Sequence, residues 1–178
     1  MLLFLSADAL MALTLFAVFA YLRLRAPLWP EAFHFGSGLM AAAMTMFLLS
    51  GSFTIFLAVR AARGGEGDPH APMRWVGITV AVWFCFLLLE ALEWARLFFI
   101  DGVTLGRNPW NVPLFGATYY VLTGFHALHV AACIVYLTVI AIRRGDVRPA
   151  QWLVHYVNAM WLPLFIGLYL ASTDLQGL

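Results

Sequence analysis

Lysine is absent from this chain of 178 residues, and charge of either sign is scarce: Asp, Glu, Lys and Arg together make up 11%. A soluble globular domain carries roughly 25%. The ten basic residues are all arginine, nine residues are acidic, and the formal net charge is +1. That balance offers no basic patch for nucleic acid, which is not an expected partner. Cysteine is nearly missing as well. Cys85 and Cys133 both lie inside apolar runs and read as small packed side chains. No CxxC, no CxxCH for covalent haem attachment and no Cys/His cluster with zinc spacing occurs. The chain has no internal repeat and no low-complexity tract, and no loop is long enough to fold as a soluble domain.

What remains is apolar. Hydrophobic residues make up 63% of the chain, and the mean hydropathy is +0.88. Five runs approach or exceed the roughly 20 apolar residues that a helix needs to cross a bilayer: Leu2 to Leu22, Phe35 to Val59, Trp75 to Ile100, Leu114 to Ile142 and Ala150 to Thr173. Lipid cannot satisfy an open backbone, and these runs lack the alternation of barrel strands, so each is expected to be helical. The fold class is therefore all-α: a single transmembrane domain over 1–178 with five membrane helices. The first run has no basic n-region and no A-x-A cleavage pattern, which reads as a retained helix.

Arginine placement suggests the orientation. Five crossings put the N-terminus with the second and fourth loops, which carry Arg60, Arg63, Arg74, Arg143, Arg144 and Arg148. The other side has Arg23, Arg25 and Arg107, with Arg96 near the end of its helix. The expectation is a cytoplasmic N-terminus and a periplasmic C-terminus. Trp29, Trp75, Trp110 and Trp152 fall at run ends, as interfacial anchors do. Pro163 lies mid-run in the fifth helix and should kink it. Small residues such as Gly51, Gly116 and Gly124 permit close helix approach.

Ionisable groups inside such runs call for a partner or a function. At about 1.5 Å of rise per residue, Asp8 lies about 10 Å from the inner end of its helix. His129 and His155 fall in the same inner half, His126 lies mid-membrane, and Glu90 and Glu93 lie in the outer half. Asp8, a partly desolvated carboxylate with His129 and His155 at a similar level, is the candidate for exchanging protons. Glu93 and Arg96 are one turn apart and can pair on their own helix. The ExxE, HxxH and HxxN patterns evoke a di-metal site in a helix bundle, but their differing depths argue against one coordination sphere. A b-haem held between His129 and His155 stays open on this reading.

The fourth run, FGATYYVLTGFHALHV from Phe115 to Val130, resembles GSTFFVATGFHGLHV, the most characteristic segment of subunit III of the haem-copper terminal oxidases. Other segments agree in order. LFLSADALMALTLFAVFAYLRLR followed by Trp29-Pro30 is similar to the family helix with FLxSE and YLxLR. LLLEALEWARLF resembles its QAYEY helix, with Glu93 on the family glutamate, and Ile100-Asp101-Gly102 its IxDG. WLVHYVNAMWLPLFIGLYL is similar to WHFVDVVWLFLFxxxY, with His155 on the family histidine. Four positions depart from the pattern: Asp8 replaces a glutamate, Asn158 an aspartate, Glu90 a glutamine and Trp94 a tyrosine. Five helices match the shorter bacterial form of the family.

The resemblance implies an accessory subunit with no catalytic, cofactor-binding or metal-ligating residue of its own, haem and copper residing in partner subunits. It implies packing against subunit I, with subunit II and other small subunits nearby, in a bacterial inner membrane. It also implies a helix bundle split by a lipid-binding cleft with bound phospholipid, and assistance to proton uptake on the inner side. Asp8, His129 and His155 are then the proton-related residues, and Glu90, Glu93, His126 and Asn158 the remaining polar positions of the family. Cytochrome c, quinol or a larger quinol-oxidising supercomplex each fit as the electron donor. The other readings are a subunit III-like component of a nitric oxide reductase, a stand-alone membrane haem- or metal-binding protein, and a small ion transporter, for which the inverted repeats of common transporters are missing.

Overall fold

The computed structural model describes residues 2–26, 29, 37–64 and 68–170. Among them the chain forms five α-helices: α1 Leu2–Arg25, α2 Ser37–Arg63, α3 Ala71–Phe99, α4 Phe115–Arg143 and α5 Arg148–Leu164. A π-helical segment, Phe165–Leu170, continues α5. No strand occurs among the described residues. Helices α1 to α4 are long and apolar enough to cross a membrane, and the chain is a multi-pass membrane protein.

The helices outrun the apolar runs. Helix α1 continues from Leu22 to Arg25, α2 from Val59 to Arg63, and α3 starts at Ala71 rather than Trp75. The backbone hydrogen-bond ladder does not stop at the edge of the hydrocarbon, and arginine stems can lie along apolar surface with the guanidinium in water. Helix ends follow local polar chemistry instead. Asp68 accepts from the His70 N–H at 2.8 Å ahead of α3, and Asp146 accepts from the Arg148 N–H at 3.0 Å at the start of α5. Both carboxylates sit at a helix N-terminus, where the dipole favours negative charge. Helix α4 stops where Arg144 turns left-handed and the Gly145 N–H donates to the Ile140 carbonyl at 3.0 Å.

The fifth run is not one α-helix. Helix α5 has 17 residues and contains Pro163, and the winding changes to π directly after it. Proline removes a ladder donor and clashes with the preceding turn, and a π turn absorbs that defect. The expected end of this run, residues 171 to 173, lies outside the described residues, as do Phe35 and Gly36 at the expected start of the second.

Helices α2, α3, α4 and α5 enclose the core, with Met44, Leu48, Trp83, Phe86, Val130 and Trp161 buried in it. Lipid tails are as apolar as leucine, so helix association depends on close packing and interhelical hydrogen bonds rather than on expulsion of water. The Trp83 indole lies against Gly51, where a Cβ would collide with it, and Phe86 meets Trp161 edge-on at 5.2 Å between ring centroids. Helix α1 lies at the side of this core. Phe19 touches Trp29, which in turn touches Phe115, and Arg23 donates to the Gly167 carbonyl. With Asp8 near Tyr156 and Arg23 near Gly167, α1 and α5 run parallel.

The loop between α3 and α4 is irregular but well fastened. Gly102, Asn111 and Leu114 all have positive φ. The Asn108 side chain donates to the Val112 carbonyl at 2.7 Å and accepts from the Val112 N–H at 3.0 Å. The Tyr120 hydroxyl donates to the Val103 carbonyl at 2.8 Å. Gly116, in the first turn of α4, presses on the Thr104 carbonyl so closely that a Cβ has no room.

Candidate functional site

Three helices meet at one carboxyl group. Asp8 on α1 is 8% exposed and His129 on α4 is 17% exposed. Asp8 Oδ1 lies 3.0 Å from His129 Nε2, and Asp8 Oδ2 accepts from the Tyr156 hydroxyl at 2.7 Å. The other ring nitrogen, His129 Nδ1, lies 2.7 Å from the Phe125 carbonyl. A carbonyl only accepts, so Nδ1 carries a hydrogen. The contact between Nε2 and Oδ1 is a hydrogen bond only if a proton sits on that line, on the imidazole or on the carboxyl. Two states follow, a charged imidazolium–carboxylate pair and a neutral imidazole–carboxylic acid pair. The pair joins α1 to α4 at the side of the bundle.

His155 does not join it. Its neighbour on α5, Tyr156, faces α1, while His155 faces α2: Nδ1 lies 3.0 Å from Ser52 Oγ and Nε2 lies 3.3 Å from Gln151 Nε2. Asn158 belongs to the same seam, donating to the Leu48 carbonyl at 2.8 Å and to Ser52 Oγ. Trp161 extends the seam, its indole N–H donating to Thr45 Oγ1 at 2.9 Å. Thr45, Leu48 and Ser52 lie on one face of α2 and meet Trp161, Asn158 and His155 of α5 in reverse order, an antiparallel ladder. The rings of His129 and His155 thus turn to different helices.

His126 is fully buried. Its Nε2 donates to the Val157 carbonyl at 3.2 Å, and its ring packs against Phe86 and Trp161. That is a cross-helix tie between α4 and α5. On α3, Glu93 accepts from the Tyr169 hydroxyl at 2.8 Å, and Tyr169 lies 2.8 Å from the Tyr119 hydroxyl. Glu90, one turn away, is buried, and neither carboxyl oxygen meets a hydrogen-bond partner among the described residues. Arg96 pairs with Asp101 at 3.5 Å. Tyr119 and His129 are ten residues apart on α4, about 15 Å at the helical rise. The two glutamates therefore sit at a different level from Asp8. Among the described residues no three His, Cys, Asp or Glu side chains converge as a metal ion would need.

Tyr156, Tyr169 and Ser52 are hydrogen-bond partners of these polar residues that the sequence reading passed over. Their signal is faint: a hydroxyl in an apolar run is common, and only its rotational position relative to a neighbouring helix identifies a partner.

No family model matches the chain. Individual relatives do. Cytochrome c oxidase subunit 3 of Corynebacterium diphtheriae is 30% identical over 153 residues, covering 79% of this chain and 70% of that protein. Cytochrome c oxidase subunit 3 of Synechocystis sp. is 30% identical over an aligned length of 180, covering 94% of this chain and 72% of that protein. The subunit of the same name from Sus scrofa is 31% identical over 116 residues, 58% of this chain and 40% of that protein. With identity at this level along most of its length, the chain belongs to the family of subunit III of the haem-copper terminal oxidases.

Proposed function

We propose that this chain is the cofactor-free accessory subunit of a proton-pumping terminal oxidase in a bacterial inner membrane, packed against subunit I and in contact with phospholipid. It crosses the membrane five times, with its N-terminus in the cytoplasm and the π-helical segment completing the last crossing. Haem and copper stay in the partner subunits. The part this chain plays in the reaction is at the Asp8–His129 pair, which takes up and releases one proton near the inner surface and so assists proton supply to its neighbour. The observation that supports this is the 3.0 Å contact between His129 Nε2 and Asp8 Oδ1, with the Tyr156 hydroxyl holding the second carboxyl oxygen.

Asp8→Asn tests it. The amide keeps the size and can donate to His129 Nε2, so the two helices stay joined while the proton-sharing pair is lost. The variant subunit is expected to remain in the purified complex. Oxygen consumption should match the unaltered complex at acidic pH and fall below it at alkaline pH, where protons are scarce. An unchanged pH profile with the subunit retained removes Asp8 from any proton role.

A further inference from the structure

Glu90 lies inside the core of the bundle, where a charge on it would stand unbalanced. The residue is 4% exposed, and neither carboxyl oxygen meets a hydrogen-bond partner among the described residues. The chain has no lysine, and all ten arginines fall within the described residues. Arg96 pairs with Asp101 beyond the end of α3, and Arg23 donates to the Gly167 carbonyl. The other arginines lie at helix ends or in loops.

The elements packed around Glu90 supply no cation either. The contacts of Thr54 with Thr79 and of Gly51 with Trp83 set the register of α2 against α3, and that register puts buried Met44 at the level of Glu90. Helix α2 carries no ionisable side chain from Ser37 to Val59. On α4, His126 donates through Nε2 to the Val157 carbonyl, and its Nδ1 also meets no partner among the described residues, so His126 and Glu90 are not bonded to each other. Tyr119 of α4 and Tyr169 of the π-helical segment bring hydroxyls, which meet each other at 2.8 Å. The nearest ionisable group on α3 is Glu93, a second buried carboxyl, which accepts from Tyr169. At this burial neither a lipid headgroup nor a residue of a neighbouring subunit can bring a cation to Glu90. An isolated carboxylate in such a place is costly enough that the group takes up a proton instead. A second carboxyl beside it adds to that cost, because two like charges in one site disfavour each other.

We propose that Glu90 is a neutral carboxylic acid at neutral pH and that Glu90 and Glu93 form a second proton-holding site, in the core and separate from the Asp8–His129 pair. The Glu90 O–H donates to the Glu93 carboxylate. Side chains three apart on a helix are neighbours, with about 5–6 Å between Cβ atoms. A carboxylate has about four acceptor sites, so Glu93 takes this bond alongside the one from Tyr169. The two sites differ in kind. Asp8 and His129 lie at the side of the bundle, and His129 keeps some exposure. Glu90 can give up its proton only when the core opens, so its proton is a resident one. This goes beyond the accessory role above and does not depend on which catalytic chain accompanies the subunit.

Infrared difference spectroscopy on the intact complex tests it. Subtracting the spectrum of the Glu90→Gln complex from that of the unaltered complex at neutral pH is expected to leave the C=O band of one carboxylic acid. Glu93→Gln should shift that band without abolishing it, because the acceptor changes from a carboxylate to an amide. Asp8→Asn should leave it in place. If Glu90→Gln removes no acid band, Glu90 is ionised and the proposal fails. A band that does not move in Glu93→Gln overturns the pairing, and a band lost in Asp8→Asn but kept in Glu90→Gln puts the held proton at the other site. Should Glu90→Gln not enter the complex, Glu90→Met, unbranched and uncharged, carries the same comparison. Failure of both to assemble would show that position 90 needs a charge, and would overturn the proposal as well.

Discussion

Asp8 takes hydrogen bonds from two helices while sitting on a third, and that makes its neighbours as informative as the residue itself. The Tyr156 hydroxyl approaches one carboxyl oxygen while the other lies 3.0 Å from His129 Nε2. Tyr156→Phe keeps the ring and removes only the hydroxyl. Hydrogen bonds between membrane helices contribute about 0.6 kcal/mol on average and up to about 1.7. The variant is therefore expected to assemble and to unfold at a slightly lower temperature, read by a thermal melt of the purified complex. No difference in melting would show that the hydroxyl does not hold Asp8. His126 and Asn158 are residues of a different kind. Their polar atoms serve α5 and α2, through Val157 and Leu48, and asparagine at position 158 supplies the N–H donor for that tie, which an aspartate carboxylate lacks.

Elements pack here through small residues and a few matched polar rungs. The α2–α5 seam shows how: Thr45, Leu48 and Ser52 repeat at helical spacing and meet Trp161, Asn158 and His155. The loop between α3 and α4 relies on close approach to α4 instead, because Gly116 rests on the Thr104 carbonyl. Gly116→Ala forces backbone against backbone, and overpacking of this kind costs about 1–3 kcal/mol. The expected outcome is a marked fall in the amount of subunit recovered with the complex, checked by quantitative immunoblot. Normal recovery would mean that the loop yields. Pro163 acts at this scale as well. It ends the regular winding of α5, and the π segment that follows carries Tyr169 onto Tyr119 and Glu93.

The whole molecule presents apolar surface on most sides. Leu10, Leu13 and Leu24 on α1, Phe53 on α2, Leu128 on α4 and Trp152 on α5 are all exposed, as expected of a chain that meets lipid and a neighbour. Orientation is a property of this scale, and introduced thiols can report it. On intact cells a membrane-impermeant maleimide is expected to label Arg107→Cys, and to label Asp68→Cys only after lysis. The reverse pattern would put the N-terminus outside and move the Asp8–His129 pair to the other side of the membrane. Membership in an oxidase is tested by affinity purification in mild detergent: a haem-bearing chain should accompany this one, and an optical spectrum of the eluate shows it.

The all-helical class, four of the membrane spans and the family were legible in the amino acids, for a plain reason. Lipid forbids unpaired backbone, so length and hydropathy alone decide which runs are helices, and TGFHALHV is specific enough to carry a family resemblance. The polar pairings were not legible. Successive residues of a helix point about 100° apart, so His155 and Tyr156 share a depth yet face α2 and α1 respectively. Depth can be counted along a sequence. The rotation of each helix about its axis is settled only when its neighbours pack against it, and that packing gave His129 to Asp8 and His155 to Ser52.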